Sequence, residues 1–70
     1  MKYYLMTPAL GIVDTGYQLS YKNEPKAAIF GDIDLAKNIA LAVLKRNDLK
    51  IMWIMDDDTN KKVETVIRQQ

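Results

Sequence analysis

Residues 27–55 have the sequence AAIFGDIDLAKNIALAVLKRNDLKIMWIM, in which a short apolar run leads into a helix and then into an apolar strand. Asp32 predicts the helix start, because its carboxylate can accept hydrogen bonds from the free N–H groups of the first turn. Apolar residues then recur at helical spacing and predict the buried face of the helix, which consists of Leu35, Ala36, Ile39, Ala40, Ala42 and Val43. Lys45 and Arg46 suit the negative end of the helix dipole. These features predict one helix over about residues 33–46.

The segment after the helix, residues 49–55, is apolar on both of its faces. Alternation places Met52 and Ile54 on one side and the other apolar residues on the opposite side, namely Leu49, Ile51, Trp53 and Met55, which we call the first set. A single helix can cover one face of a sheet. We expect it to cover the first set and to leave Met52 and Ile54 open, which predicts a surface for a partner.

The remaining segments predict short strands joined by polar turns. The strands fall at about residues 2–6, 10–13, 17–22, 27–30 and 62–68, and the turns at residues 14–16, 22–25 and 56–60. Alternating apolar and polar residues favour half-buried strands, and Gly, Asn, Asp and Pro favour turns. We therefore expect one α+β domain over residues 1–70, with a four- or five-stranded, mainly antiparallel sheet and the helix on one face.

The composition limits how so small a domain can be reinforced. A chain of 70 residues without Cys or His has neither disulfides nor a Cys/His zinc site. Domains of this size bury only about 60% of the surface that the unfolded chain exposes. Oligomerisation is the reinforcement that this composition leaves open. We expect a homodimer, and no cofactor.

Charge and hydropathy argue against nucleic-acid binding, secretion and membrane insertion. The formal net charge is +1 and the sequence pI is near 7.9, below the value of about 9 that is usual for a nucleic-acid domain. The N-terminal residues 1–8 lack the apolar core of a signal peptide. No run approaches the roughly 20 apolar residues of a membrane span. These features predict a cytoplasmic protein that does not enter the membrane.

The predicted interaction surface extends from the strand at residues 49–55 onto its neighbours. Methionine suits such a surface, because it is flexible and polarizable. Leu41 is a secondary candidate, since it lies among polar residues on the outer face of the helix. The candidate interaction residues are Tyr4, Met6, Met52, Ile54, Val66 and Leu41, with Ala28 or Phe30 as possible additions.

Two polar motifs resemble catalytic or metal-binding loops. Residues 10–16 end in Asp-Thr-Gly and resemble the loop of retroviral-type aspartic proteases, but Tyr17 follows where that family has a small residue. Residues 56–60 resemble the start of a calcium loop, but Lys61 and Ile67 stand where Gly and Glu are needed. Both motifs favour solvated turns. We expect no catalytic and no metal-binding residues, and no enzyme.

The alternative function is that of a nucleic-acid-associated accessory protein. Lys45, Arg46 and Lys50 cluster near the end of the helix. Aromatic side chains on a sheet can stack on the bases of a single strand. The predicted sheet carries Tyr3, Tyr4, Tyr17, Tyr21 and Trp53.

The chain also resembles small proteins encoded by phages of Gram-positive bacteria. The resemblance lies in short tyrosine-rich strands, the helix start IFGDIDLAK at residues 29–37, and the lysine-containing last strand. It implies an accessory role in the host cytoplasm, such as inhibiting or redirecting a host protein. The sequence therefore predicts a non-catalytic interaction module that associates with itself, with a host protein, or with both.

Overall fold

Five antiparallel strands and one helix make up the part of the chain that the computed structural model describes, residues 1–23 and 26–69. The strand order in the sheet is β3-β2-β1-β4-β5. This confirms the predicted α+β fold. Glu24 and Pro25, in the predicted turn at 22–25, lie outside the described residues. The elements are β1 (Tyr3–Met6), β2 (Ile12–Val13), β3 (Leu19–Ser20), α1 (Ile33–Arg46), β4 (Ile51–Asp56) and β5 (Lys62–Ile67).

The helix α1 has the predicted bounds, and its ends show why. The backbone N–H of Asp34 donates to the carboxylate of Asp32 at 2.9 Å, which satisfies one of the free donors of the first turn. At the other end, the Asn47 side chain donates to the carbonyl of Val43 at 2.8 Å. Asp48 then takes a positive φ of 55°, which turns the chain out of the helix towards β4.

The core lies between α1 and one face of the sheet. Leu5 of β1 pairs with Ile54 of β4, and Met52 pairs with Val66 of β5. The small residues of α1 let these bulky side chains approach the helix axis. The core cluster consists of Leu5, Val13, Ala28, Phe30, Ala36, Ala40, Val43, Leu44, Met52, Ile54 and Val66.

Residues 27–30 form isolated bridges in place of the predicted strand. Tyr3 and Phe30 exchange two backbone hydrogen bonds of 2.8 Å, and Ala27 bridges Asp14. The N–H of Ala28 donates to the carbonyl of Val13 at 2.9 Å. This segment therefore ties β1 and β2 to the start of the helix.

A short turn joins β4 to β5. The carboxylate of Asp56 accepts from the N–H of Asp58 at 2.8 Å, and Asn60 takes a positive φ of 58°. The pairing then shifts by one residue between Ile54 and Met55, so that Met55 lies opposite Lys62. A bulge of this kind re-aims the side chains beside it.

Candidate interaction surfaces

Three of the predicted interaction residues belong to the core. Met52 and Ile54 are 0% exposed and Val66 is buried, all in one cluster with Ala36 and Ala40 of the helix. The predicted assignment of the two faces was therefore wrong. Alternation separates the residues of a strand into two sets, but it does not tell which set meets the helix.

Ala28 and Phe30, the possible additions to the predicted surface, are also buried in this core. Tyr4 and Met6 belong to the opposite side of the sheet, since they pair with Met55 and Trp53. The prediction thus combined residues from two faces. Of the six candidates, Tyr4 and Met6 lie on the side away from the helix, and Leu41 lies on the helix itself.

The side of the sheet opposite α1 is called the open face below. The register places its residues directly opposite one another on neighbouring strands: Ile12 opposite Met6, Met6 opposite Trp53, and Ile51 opposite Ile67. Ile51 is 41% exposed and Ile67 is 58% exposed. The open face consists of Tyr4, Met6, Ile12, Ile51, Trp53, Met55, Thr65 and Ile67.

One corner of the open face is closed. Tyr4 and Met55 are buried there, and the Tyr4 hydroxyl donates to Asn60 Oδ1 at 3.1 Å. Burial, and secondarily the negative charge of Asp57, raises the pKa of Tyr4 above its ordinary value. The turn between β4 and β5 thus protects this corner, and the accessible part lies around Met6, Trp53 and Ile51.

Trp53 stands at the centre of the accessible part. It is half-buried, and the Lys62 ammonium lies 5.4 Å from the centroid of its ring. A cation over an indole ring is attracted by the negative face of the π system. The methylene groups of such a lysine can also cover apolar surface. Lys62 therefore lies over part of the half-buried Trp53 ring.

The outer edge of β5 is the second surface. The N–H of Arg68 donates to the carbonyl of Lys50 at 2.8 Å, so this pair forms ladder bonds. In an antiparallel ladder such pairs alternate. Val66 and Glu64 therefore also point their backbone groups at β4, whereas the N–H and C=O groups of Thr65 and Ile67 point outward, away from the sheet.

A groove of about 640 Å³ runs beside this edge, between α1 and the end of β5. Leu41, which is 40% exposed, lies on its helix side. This explains an exposed leucine among the polar residues of the helix. The groove is lined by Leu41, Lys45, Ile67, Arg68 and Gln69.

The basic and aromatic residues of the nucleic-acid alternative are dispersed. The Arg46 guanidinium donates to the backbone carbonyl of Tyr17, whose ring stacks on Phe30 with centroids 5.8 Å apart. Lys45 lies in the groove. Tyr3 packs against the helix-side core, whereas Trp53 is on the open face. These residues do not form one continuous stacking platform.

The two acidic motifs form turns. Asp14 accepts from the N–H groups of Gly16 and Gln18 at 2.9 and 3.0 Å, so its carboxylate stabilises the turn. Asp56 serves its own turn in the same way. Within residues 1–23 and 26–69, no group of three Asp or Glu side chains is placed to hold a metal ion.

No protein-family model, curated protein or solved structure matches this chain. Within the described residues, α1 lacks the length and apolar character that a membrane-crossing helix needs.

Proposed function

We propose that this protein is a non-catalytic protein-binding module whose contact surface is the accessible part of the open face. The observation that carries the proposal is the row of apolar neighbours across four strands, from Ile12 through Met6 and Trp53, with Ile51 beside Ile67. Two of these isoleucines are more than two-fifths exposed. A contiguous apolar patch on a small protein is typical of an interface.

The chemistry of the patch also favours a protein as the partner. Trp and Met are enriched at the centres of protein interfaces, where they bring a large apolar area or an adaptable shape. Trp53 and Met6 are direct cross-strand neighbours. The Lys62 ammonium lies over the Trp53 ring, so a positive charge accompanies the apolar residues of the patch.

The proposed partner is a second copy of the chain or a host protein. The resemblance to phage-encoded proteins of Gram-positive bacteria supports an accessory role, in which binding in the host cytoplasm inhibits or redirects the partner. This role requires binding alone.

Ile51→Lys tests the open face, and Leu35→Lys is its matched control. Both residues are exposed to a similar extent, 41% and 47%, but Leu35 lies on the helix. Each variant is first shown to be folded by circular dichroism. Binding is then measured as molar mass over a concentration series and as retention of host proteins on the immobilised chain.

The proposal predicts that Ile51→Lys loses the retention of host proteins that the wild type shows and that Leu35→Lys keeps it. Equal behaviour of the two variants would contradict the role of the open face. Salt-dependent retention on single-stranded DNA, lost with Lys45→Glu and Lys50→Glu, would instead support the nucleic-acid alternative.

A further inference from the structure

The free edge of β5 has its own binding chemistry, distinct from that of the open face. Thr65 and Ile67 point their N–H and C=O groups outward, and both side chains are exposed. An edge strand with unpaired backbone groups is a template for another strand. An added strand would send alternate side chains to the helix side of the sheet, beside the groove.

Three helix residues spaced four apart, Lys37, Leu41 and Lys45, form a stripe along this edge. Lys37 Nζ lies 2.9 Å from Glu64 Oε2. One and two turns further along the helix, Leu41 and Lys45 line the groove together with Arg68. The stripe therefore presents an apolar side chain between two cations.

The cations at the groove are incompletely paired within the described residues. Lys45 forms no ion pair with another described residue, and Arg68 binds Asp48 at 3.0 Å through one nitrogen. Arg68 Nε is buried without an acceptor among residues 1–23 and 26–69. The groove thus favours an added strand that brings an acidic side chain opposite Arg68.

The sequence of β5 contains such a strand. In a symmetric antiparallel pair of β5 strands, outward-pointing residues must face each other. A pair centred on Glu64 would place two carboxylates directly opposite, which is destabilising. A pair centred on Thr65 would place Glu64 opposite Val66 and would need Val63, which lies at the bulge.

The pair centred on Val66 avoids both problems. It joins Thr65 to Ile67 of the second copy, and Ile67 to its Thr65, so that both ladder pairs use regular strand positions. On the helix side it places Val66 opposite Val66 and Glu64 opposite Arg68 of the second copy. Opposite charges directly across a strand pair are stabilising.

We propose that two copies of the chain pair through β5 in this register. The product is one continuous sheet with five strands from each copy. Each Glu64 then lies between its own Lys37 and the groove of the second copy, where Arg68 and Lys45 supply positive charge. This inference rests on the proposed protein-binding function and names a second copy as the partner at β5.

Thr65→Pro tests the use of the edge. It removes an outward N–H that makes no bond within the sheet, and proline is compatible with such an edge position. Thr65→Val is the control, because it keeps the N–H. We expect the molar mass of wild type and Thr65→Val to approach twice the monomer at high concentration, while Thr65→Pro stays monomeric with an unchanged circular dichroism spectrum. A monomeric wild type at millimolar concentration, or a dimeric Thr65→Pro, would overturn the proposal.

A charge exchange provides a second test that needs no proline. Glu64→Arg alone places arginine opposite arginine at both ends of the pair, and Arg68→Glu alone places glutamate opposite glutamate. We expect each variant to be monomeric. Mixed together, the two chains have opposite charges at both positions and should form a heterodimer in native mass spectrometry. Homodimers of either variant, or a mixture without heterodimer, would refute the pairing.

Single cysteines determine the register, because the natural chain has no cysteine. Residues directly opposite in a non-hydrogen-bonded pair have Cβ atoms about 4.5–5.5 Å apart, close to what a disulfide spans. We expect Val66→Cys to form disulfide-linked dimers faster than Glu64→Cys or Thr65→Cys. Fastest linkage at either of the other two positions would disprove the register, and so would equal rates at all three.

The same variants separate this inference from the proposed function. Loss of self-association with Ile51→Lys but not with Thr65→Pro would uphold the open face and overturn pairing through β5. The reverse result would uphold the edge pairing and show that the open face does not mediate self-association.

Discussion

Ile54→Ala and Ile51→Ala provide a direct test of which face of β4 meets the helix. The two isoleucines lie three residues apart in one strand, and both lose the same atoms in the substitution. Ile54 is 0% exposed within the core cluster, whereas Ile51 is 41% exposed on the open face. The difference between their effects therefore reports the burial of each side.

The expected magnitudes are well separated. Truncation of a fully buried isoleucine to alanine lowers the free energy of unfolding by about 2–5 kcal/mol. Ile51 keeps much of its surface in water, and we expect a loss of about 1 kcal/mol or less. At about 0.05–0.15 kcal/mol per residue, a chain of this length has a total stability of roughly 3.5–10 kcal/mol. Ile54→Ala should thus remove a large share of it.

Urea denaturation measures both variants. Trp53, the single tryptophan, reports the unfolding of the sheet by its fluorescence, and circular dichroism at 222 nm reports the helix. Ile54→Ala should lower the midpoint strongly, with coincident transitions from the two probes, and Ile51→Ala should lower it slightly. Equal losses, or a larger loss for Ile51→Ala, would refute the assignment of the core.

Three further variants address local features. Asp32→Ala should lower the free energy of unfolding by about 1 kcal/mol, because the Asp34 N–H loses its acceptor at the helix start; an unchanged urea midpoint would contradict the capping role. Leu10→Gly should raise the free energy of unfolding by up to about 1 kcal/mol, because Leu10 has a left-handed φ of 69° that glycine adopts more easily, and the residue is 71% exposed. A lower melting temperature of this variant would contradict the expectation. Because burial and Asp57 raise the pKa of Tyr4, its contribution to stability is constant below pH 10.0, the ordinary value, and is lost as pH rises through the higher folded value. Tyr4→Phe should therefore lose less stability than wild type above that pH, and parallel losses in urea titrations would contradict the shift.

The helix could be predicted from the sequence because its signals are local. Asp32 lies at the start of the helix and Lys45 and Arg46 lie in its last turn, so each signal is within one turn of the end that it predicts. The structure places the helix over the predicted residues. The antiparallel pairing of the strands could also be predicted from the sequence, since the segments between most strands are too short for a crossover helix. The predicted α+β fold is confirmed on these grounds.

The orientation of β4 could not be predicted, because both of its faces are apolar. A strand with one polar face identifies its solvent side, and the stretch from Ile51 to Met55 lacks such a marker. The rotation of the helix added to the error. Leu35 was expected among the buried residues of α1 but is 47% exposed, while Lys37 lies over β5 and binds Glu64.

The sequence nevertheless predicted correctly, in part, which residues share a face of the sheet. Alternation predicts that Met52, Ile54 and Val66 share a face, and in the structure they do share one, which is the face under the helix. Tyr4 and Met6 were joined to them wrongly, because their side of the sheet depends on the register between β1 and β4. Register is set by the pairing of distant segments, and no local pattern specifies it.

The open face and the β5 edge are connected through Ile67. Its side chain belongs to the open face, and its backbone groups point outward along the edge. Pairing of two copies through β5 would bring Ile67 of each copy beside Thr65 of the other, so that the two open faces become one larger apolar surface. A partner with two binding sites could then engage both faces at once, which raises its apparent affinity without any new contact. Thr65→Pro should therefore weaken the binding of such a partner while leaving the affinity of a single face unchanged.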